Sequence, residues 1–400
     1  MSKEVFIVDG IRTAIGNFGG TLAPVRADDL AAHAIKALID RHPGLDLNLV
    51  EDVIMGCANQ AGEDNRNVAR MASLLAGVPF TAGGETVNRL CASGMAAANI
   101  AARAIKDGAG DIYIAGGVEH MTRGPWVISK TSTAYGRDAQ MFDSSFGWRF
   151  INPKMEELYG VDGMGQTAEN LVEMYGIERE AQDRFAAWSQ EKATKAMASG
   201  YFAGEIAPVL IPQRKKDSIK FEKDEFIRPE TTMDTLASLR PAFKKDGSVT
   251  AGNASGLNDG AAALLLASGE AVATQGFKPL ARIVSSAVAG VEPRIMGIGP
   301  VYASEKALQR AGLTLDQIDV LELNEAFAVV GIANTKILGI DPAKVDVNGG
   351  AVALGHPLGN SGSRVIVTLI NVLKQNNAKI GGAGICNGGG GASAMIIENI

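Results

Sequence analysis

The sequence predicts a layered α/β protein, and three observations support that prediction. Apolar strand-like runs alternate with helical stretches along the chain, which is typical of helices packed on sheets. Hydrophobic residues make up 46% of the 400 residues, whereas aromatic residues make up only 6%. The 48 glycines indicate that many backbone segments approach each other or a ligand closely. A chain of this length has room for two or three domains.

The order of the predicted elements repeats in the second part of the chain. Gly-Leu and then a strand occur at residues 44–54 and again at 312–321, and a Val-Asn pair, Ser-Gly, a helix and a strand follow in both parts. We interpret this as an internal duplication, with chance similarity of glycine-rich turns as the alternative. The strands are predicted at residues 5–8, 53–55, 112–115 and 320–323, and the helices at residues 28–39, 92–106, 179–198 and 304–311.

Residues 123–249 differ in composition and pattern from the rest of the chain, because they contain aromatic and charged clusters and a long helical stretch. We interpret them as an inserted lobe. The expected division is an N-terminal half formed by residues 1–122 and 250–272, the insertion at 123–249, and a C-terminal half at 273–400. The small residues at 250–256 are a candidate wall for a narrow ligand tunnel.

Composition argues against several classes of protein. The net charge of −6 provides no basic face for nucleic acid. No apolar run reaches the roughly 18 residues expected of a membrane-spanning helix, so no membrane partner is expected. The amino terminus runs directly into a strand-like stretch without the pattern of a secretory signal, which makes the cytoplasm the expected location. The three cysteines and four histidines are too scattered for a disulfide framework or a metal site.

Cys91 is the first candidate for chemistry. It lies between a strand-like segment and an alanine-rich helical stretch, so it is predicted at a helix N-terminus. Free amide groups and the helix dipole at such a position favour the thiolate, which is the reactive form of cysteine. A small buried core thiol is the alternative for a lone cysteine.

His356 is the candidate base. It lies in a Gly- and Pro-rich loop at residues 348–359, where a side chain is displayed rather than packed on a helix face. Because imidazole titrates near neutral pH, His356 would take the proton of the Cys91 thiol. A histidine that only holds the loop by hydrogen bonds is the alternative.

Two further side chains follow predicted strands. Cys386 opens the loop Cys-Asn-Gly-Gly-Gly-Gly, whose bare amides can hold an oxyanion, and its thiol would move a proton to or from a substrate carbon. A phosphate-binding loop is the alternative, although no lysine follows it. Asn324 stands at a strand end where ligands usually meet α/β sheets, and a helix N-cap is its alternative.

Four motifs occur together in the order and approximate spacing of the thiolase family, and the chain resembles that family over essentially its whole length. They are Asn-Arg-Leu-Cys91-Ala-Ser-Gly, Asn324-Glu-Ala-Phe, Gly-His356-Pro-Leu-Gly and Cys386-Asn-Gly-Gly-Gly. Segments 116–121 and 250–260 also resemble the family. The resemblance implies a duplicated, layered α-β-α-β-α core with an inserted loop domain that binds coenzyme A, and a homodimer or homotetramer.

The resemblance also implies roles for these residues. Cys91 would be the acylated nucleophile, His356 would activate it, and Cys386 would exchange a proton with the α-carbon of the acetyl unit. Asn324 would position a water that, with His356, stabilises the enolate-like thioester oxygen. The backbone amides of Cys91 and Gly388 would hold the oxygen of the tetrahedral species. No cofactor or metal is implied, because coenzyme A is a substrate.

Contacts to coenzyme A and the acyl chain are implied in the same way. Some thiolases carry a histidine before the residue that matches Met164, whereas this chain has Gly163, so one polar contact of the family is not carried over. The charged run at 213–223 is interpreted as a solvated surface hairpin, with attraction of the coenzyme A phosphates as the alternative. The implied contacts are Ser255 and Met164 along the pantetheine arm, Arg228 and Phe243 toward the adenine nucleotide, and Met296 and Phe327 elsewhere in the substrate site.

Segments 56–67 and 147–153 are similar to the branch of the family that cleaves 3-oxoadipyl-CoA to succinyl-CoA and acetyl-CoA. The distal carboxylate of that substrate would need a cationic partner, for which Arg149 and Arg123 are candidates. The nearest alternative is an acetoacetyl-CoA or general 3-ketoacyl-CoA thiolase with the same chemistry. A ketoacyl synthase is disfavoured by the Cys386 motif, and a non-catalytic acyl-CoA-binding protein is disfavoured by the four intact motifs.

Overall fold

A computed structural model describes residues 3–400 and contains, within that range, 14 strands and 12 α-helices. The strands are β1 (Val5–Arg12), β2 (Gly16–Asn17), β3 (Val50–Gly56), β4 (Glu85–Val87), β5 (Ile112–His120), β6 (Trp126–Ile128), β7 (Met141–Asp143), β8 (Val209–Gln213), β9 (Lys216–Phe221), β10 (Asn258–Ser268), β11 (Ala281–Gly290), β12 (Val320–Leu323), β13 (Ile380–Asn387) and β14 (Gly391–Asn399). The helices are α1 (Ala27–Asp40), α2 (Val68–Leu75), α3 (Ser93–Asp107), α4 (Pro153–Tyr159), α5 (Met164–Tyr175), α6 (Arg179–Ala198), α7 (Met233–Ala237), α8 (Gly269–Thr274), α9 (Gly299–Ala311), α10 (Ala328–Leu338), α11 (Ala351–Leu354) and α12 (Leu358–Gln375).

The central sheet consists of two similar halves. In the order β12-β13-β14-β11-β1-β10-β5-β3-β4, the halves meet between β11 and β1, where only Phe6–Arg282 and Ile7–Ala281 pair. In the N-terminal half, β3 is parallel to β5, which is antiparallel to β10, which is antiparallel to β1. In the C-terminal half, β12, β13, β14 and β11 follow the same pattern. The repeat expected from the sequence is therefore a repeat of topology.

Three apolar cores show that the molecule is layered α-β-α-β-α, as the sequence predicts. One core lies between α1, α2 and the N-terminal half of the sheet, and another lies between α9 and the C-terminal half. The third surrounds α3 and α12 and includes side chains from both halves. Side chains alternate along β5: Ile112 and Ile114 face the outer core with α1 and α2, whereas Tyr113 and Ala115 face the central core.

The two central helices approach each other closely at their first turns because glycines stand there. A Cβ atom on Gly94 of α3 would lie 2.7 Å from the backbone nitrogen of Ser363 and 2.8 Å from the carbonyl oxygen of Gly359. A Cβ atom on Gly362 of α12 would collide with the backbone of Met95. The many glycines of the sequence thus include a pair that allows two helix N-termini to pack together.

The chain between β5 and β10 carries elements outside the layered core, namely β6 to β9 and α4 to α7. It is tied to β1 by fully buried Arg12, whose Nε lies 2.7 Å from Glu205 and whose Nη1 lies 2.7 Å from Asp224. The hairpin of β8 and β9 is largely exposed, as expected for the charged run at 213–223. Over residues 3–400, no helix has the length and apolar character needed to cross a membrane.

Candidate active site

Cys91 lies in a tight turn that precedes α3 by two residues, as the sequence predicts. The Ser93 hydroxyl accepts a hydrogen bond from the Arg89 amide at 2.8 Å and donates one to the Leu90 carbonyl at 2.6 Å. The Asn88 side chain accepts the Leu90 amide at 2.9 Å. Leu90 has φ +48°, a left-handed conformation that is costly for a leucine and is held here by the two polar side chains.

Burial changes the expected ionisation of Cys91. The side chain is buried, and desolvation raises the pKa of the thiol to about 11, with a smaller contribution from the Glu119 carboxylate. The backbone N–H groups of Gly388 and of Cys91 itself oppose that shift but do not overcome it. The amide donors and the helix N-terminus favour the thiolate, as the sequence indicates, but removal from water outweighs them. Cys91 rests as a thiol.

Cys386 lies near the end of β13, and Gly388 lies in the tight turn between β13 and β14. This turn brings the Gly388 N–H to the Cys91 sulfur, so two backbone donors converge where a developing oxyanion would lie. Cys386 is buried, and both desolvation and its proximity to Cys91 raise the pKa of its thiol. The two cysteines therefore face one chamber as two protonated thiols.

His356 is held by its backbone and by one ring nitrogen. Its amide donates to the Asn258 side chain at 2.8 Å, and the preceding Gly355 has φ +101°, which orients the loop. Nδ1 lies 2.7 Å from the Ser361 hydroxyl. Since that hydroxyl lies 2.9 Å from the Pro357 carbonyl and can donate only one hydrogen bond, it accepts from Nδ1–H. The lone pair is then on Nε2, which makes no hydrogen bond within the protein.

The pKa of His356 is lowered to about 3, mainly by burial and further by the positive charge of Arg364. The expectation that this imidazole titrates near neutral pH is therefore wrong. The ring is neutral at physiological pH, and its Nε2 is permanently available as a proton acceptor. Cys91 and His356 thus form a neutral pair at rest rather than an ion pair.

Asn324 follows β12 directly and is not a helix cap, because α10 begins only at Ala328. The Nδ2 atom of its side chain lies 3.3 Å from Nδ1 of His356. The Oδ1 atom lies 3.4 Å from Nη2 of Arg364. Its backbone amide donates to the Gly384 carbonyl on β13 at 2.9 Å. The strand-end position indicated by the sequence therefore places this side chain beside the histidine.

The packing of α3 on α12 unites these groups. Cys91 precedes the first turn of α3 and His356 precedes the first turn of α12, and Gly94 and Gly359 in those turns are in contact. Cys386 and Asn324 reach the same end from the adjacent parallel strands β13 and β12. The four candidate catalytic side chains therefore meet at one end of the central layer.

An apolar wall adjoins Cys386. Met296, Phe327 and Cys386 belong to one buried cluster, and the rings of Phe327 and Phe243 pack edge to face with centroids 6.0 Å apart. Met164 reaches Gly388, since a Cβ atom there would lie 3.6 Å from the methionine sulfur. Phe243 and Met164 are also partly exposed. This wall can line the path of a narrow, flexible substrate.

Ser255 and Arg228 lie further out. The Ser255 amide donates to the Ala326 carbonyl at 3.0 Å, beside Phe327. Arg228 is exposed, and its guanidinium lies over the Phe226 ring at 4.5 Å from the centroid. A Cβ atom on Gly256 would touch that same ring. The structure thus links Arg228 to Ser255 through Phe226 and Gly256, but not directly to the thiols.

Several buried polar residues of the site were missed at the sequence level. Glu119 accepts backbone amides of Ala58, Asn59 and Gly359, and burial raises its pKa to about 7. Ser361 fixes the His356 tautomer, and Arg364 contacts Asn324. The sequence signal for Ser361 and Arg364 was their position five and eight residues after His356, on the helix that follows it. Among residues 3–400, no group of His, Cys, Asp or Glu is arranged to hold a metal ion.

Comparisons with known proteins agree with this geometry. The family model "Thiolase, N-terminal domain" matches residues 5–270, and "Thiolase, C-terminal domain" matches residues 277–399. The chain is 54% identical to the beta-ketoadipyl-CoA thiolase of Acinetobacter baylyi, with 100% of both chains covered. It is 52% identical to the 3-oxoadipyl-CoA/3-oxo-5,6-dehydrosuberyl-CoA thiolase of Escherichia coli, again over 100% of both. The crystal structure of the Bacillus anthracis acetyl-CoA acetyltransferase matches with a TM-score of 0.93 and 43% identity, covering 100% of this chain and 99% of that one.

The resting ionisation of Cys91 can be tested by alkylation. We expect its reaction with iodoacetamide to accelerate about tenfold per pH unit between pH 7 and 9 without levelling off, because only the thiolate reacts and its pKa is near 11. Peptide mass spectrometry measures the label at each pH, and Cys91→Ser identifies the peptide. A plateau below pH 8 would contradict the neutral pair.

Proposed function

The chain belongs to the thiolase family, and from that premise we propose that it cleaves 3-oxoadipyl-CoA with coenzyme A to succinyl-CoA and acetyl-CoA, with Cys91 carrying the succinyl group. The observation that carries the substrate assignment is the full-length identity of 52–54% to relatives named for it. An acetoacetyl-CoA thiolase is the second candidate, because the matching crystal structure is of an acetyl-CoA acetyltransferase. The chemistry at Cys91 is the same in both.

The first step is transfer of the acyl group to Cys91. Its sulfur attacks the C3 carbonyl while Nε2 of neutral His356 takes the thiol proton. Because the thiol pKa is about 11 and the imidazole pKa about 3, proton transfer accompanies the attack instead of preceding it. The backbone amides of Cys91 and Gly388 stabilise the oxyanion of the tetrahedral species by a few kcal/mol per donor.

The carbon-carbon bond then breaks. The C2–C3 bond electrons pass to C2 as an enolate of acetyl-CoA, which takes the proton of the Cys386 thiol. His356 and a water held by the Asn324 amide stabilise the enolate oxygen while charge resides there. The raised pKa of Cys386 suits this role, because its thiol stays protonated until a strongly basic carbon forms beside it.

A second transfer frees Cys91. After acetyl-CoA leaves, the thiol of free coenzyme A gives its proton to the Cys386 thiolate and attacks the succinyl thioester. The bond between the acyl carbon and the Cys91 sulfur breaks, and protonated His356 returns its proton to that sulfur. Succinyl-CoA leaves, and all three residues return to their resting states. Each step is reversible, so the same groups support condensation.

Coenzyme A would enter along the apolar wall. We assign its pantetheine arm to Met164 and Ser255, because Met164 adjoins Gly388 and Ser255 lies beside Phe327. Arg228 and Phe243 would contact the adenine nucleotide, since Arg228 is exposed and free to meet phosphates. Met296 and Phe327 would line the inner end of the channel. We retain the proposed division into two halves and a coenzyme A-binding insertion at 123–249.

The distal carboxylate of 3-oxoadipyl-CoA needs a cation, and the two candidate arginines differ in their contacts. Arg123 is already paired with Glu63, with Nε 2.7 Å from the carboxylate, and also contacts a backbone carbonyl. Arg149 donates only Nη1 to the Ser144 carbonyl at 3.0 Å. The Ser144 hydroxyl accepts a hydrogen bond from the Asn59 side chain. The backbone N–H of Asn59 donates to Glu119, which lies near Cys91. Arg149 is therefore the candidate that retains donors.

A thiolysis assay tests the function. We expect coenzyme A-dependent loss of the enolate absorbance of 3-oxoadipyl-CoA, and we expect Cys91→Ala to lower kcat by about 10⁴-fold or more because no acyl carrier remains. Cys57→Ser is the matched control, because Cys57 is also a buried thiol but donates only to the Asn59 carbonyl. If the wild-type protein cleaved no 3-ketoacyl-CoA, the proposal would be overturned.

Arg149→Ala tests the carboxylate contact. We expect kcat/KM for 3-oxoadipyl-CoA to fall about 10- to 100-fold, as for loss of one charge-assisted contact, while that for acetoacetyl-CoA changes little. Steady-state kinetics on both substrates measure the difference. Arg137→Ala, an exposed arginine of the same insertion, is the control. An unchanged preference in Arg149→Ala would exclude this residue.

The protein is proposed to be a homodimer or a dimer of dimers. Trp126, Ile128 and Met141 are 72%, 65% and 60% exposed and share one face of the β6–β7 hairpin, where Ile128 pairs with Met141. Such a surface is typical of an interface. We expect Ile128→Glu to lower the mass measured by light scattering, while Leu210→Glu on the exposed β8 strand leaves it unchanged. A monomeric wild-type protein would contradict the proposal.

The compartment is proposed to be the cytoplasm. Cys57, Cys91 and Cys386 are all free thiols in the structure. Free thiols are typical of a reducing compartment. Fractionation of cells that produce the protein, with a cytoplasmic and a secreted marker, would locate it.

A further inference from the structure

A buried charged pair lies behind the Asn324 and His356 side chains. Glu322 stands two residues before Asn324 on β12, and its carboxylate lies 3.6 Å from Nη1 of Arg364 on α12, with both side chains only 1% exposed. We propose that Arg364, balanced by Glu322, is a positioning residue of the reaction: it holds the oxygen of the Asn324 amide so that the Nδ2 group points toward His356 and holds the water that stabilises the enolate oxygen. This inference rests on the proposed thiolase function.

The location of the pair is unusual for the layer in which it lies. On β12, Val320 faces the central apolar core, whereas Leu321 and Leu323 pack on the other side of the strand. By strand alternation, Glu322 and Asn324 point toward the central core as Val320 does. An apolar side chain at 322 would avoid the cost of burying a charge, so packing alone does not explain a carboxylate there.

Arg364 determines which end of the Asn324 amide points toward the histidine. A guanidinium group can only donate, so its Nη2, 3.4 Å from Oδ1, favours the amide oxygen on its own side. The Nδ2 group then lies 3.3 Å from Nδ1 of His356, and because Nδ1–H donates to Ser361, Nδ2 makes no hydrogen bond to the ring and stays available as a donor. A flipped amide would present an oxygen instead of a donor to the water that stabilises the enolate oxygen, and so would hold that water in a different orientation. The hydrogen bond is long, but charge acts strongly at such distances in a buried site.

Glu322 provides the counter-charge that allows Arg364 to be buried. Both carboxylate oxygens of Glu322, and Nε and Nη1 of Arg364, make no hydrogen bond within the protein, so the two groups interact chiefly through charge. Burial raises the pKa of Glu322, and the positive charge of Arg364 opposes that shift. The other charged groups that face Glu322 are Glu205, Glu325, Lys192 and Asp346.

Arg364 also acts on the base. Its charge, together with burial, keeps the pKa of His356 low. The titratable groups around the chamber are the thiols of Cys91 and Cys386 and the carboxylate of Glu119 on β5. Removing the Arg364 charge raises the pKa of His356, so the neutral base is lost at a higher pH and the acid limb of kcat/KM moves upward.

Variants of Arg364 test the proposal. We expect Arg364→Met to lower kcat about 10- to 100-fold with little change in KM, because Asn324 acts on charge that forms only during reaction. Its acid limb should also move to higher pH. Arg364→Lys keeps the charge but loses the planar donor, so we expect a lower kcat with the acid limb unmoved. Glu322→Gln should lower kcat by loosening Arg364. Steady-state pH profiles measure all three.

Arg12→Met is the matched control for a lost buried arginine. Arg12 is fully buried and paired with two carboxylates, but it lies outside the chamber. We expect it to lower the melting temperature without moving the acid limb. A folded Arg364→Met with wild-type kcat and acid limb would overturn the proposal. If Arg364→Met does not fold, a wild-type kcat in Arg364→Lys overturns it.

Acetylation of Cys91 by acetyl-CoA, measured by intact-protein mass, separates the two levels of inference. A wild-type protein that is acetylated but does not cleave 3-oxoadipyl-CoA refutes only the substrate assignment. The exchange of the methyl hydrogens of acetyl-CoA for deuterium, which requires the enolate, would then test the positioning role: slower exchange in Arg364→Met supports it, and an equal rate overturns it. A wild-type protein that is neither acetylated nor active refutes both the thiolase chemistry and the inference built on it.

Discussion

The site depends on the contact between the first turns of α3 and α12. Each helix follows a loop that carries a reactive side chain, and the loops face each other only because Gly94 and Gly362 let the two backbones touch. A side chain at either glycine would separate the helices and therefore the thiol from the imidazole. The layers above and below bury the pair on both sides. Helix packing, rather than a direct bond between the two residues, thus sets the distance available for proton transfer.

Burial is the second constraint, and it acts in opposite directions on the two partners. It raises the pKa of both thiols and lowers that of His356, so the two thiols and the imidazole are uncharged before substrate arrives. The fixed donors, namely the Gly388 amide and the Asn324 amide, then meet negative charge only when the reaction creates it. Donors of this kind stabilise the transition state more than the ground state, which is the requirement for catalysis.

Much of the fold and the core of the site could be predicted from sequence. Periodicity located β1, β3, β5, β12 and the long helix α6, because strand and helix patterns are local. Motif order identified the four side chains of the chamber. The ionisation of Cys91 and His356 could not be predicted, because it depends on burial by segments distant in sequence. Glu322, Arg364 and Ser361 were missed for the same reason: each acts through a partner that only the packed layers bring near.

The burial of the Cys91 and Cys386 thiols affects how they react in an oxidising environment. Peroxides attack thiolates far faster than thiols, and a disulfide also begins with a thiolate. The pKa of both Cys91 and Cys386 is raised, so little thiolate is present at rest for a peroxide or a disulfide to react with. Reactivity is confined to the moment when a carbonyl is present. The same burial that makes the nucleophile weak in isolation protects it between turnovers.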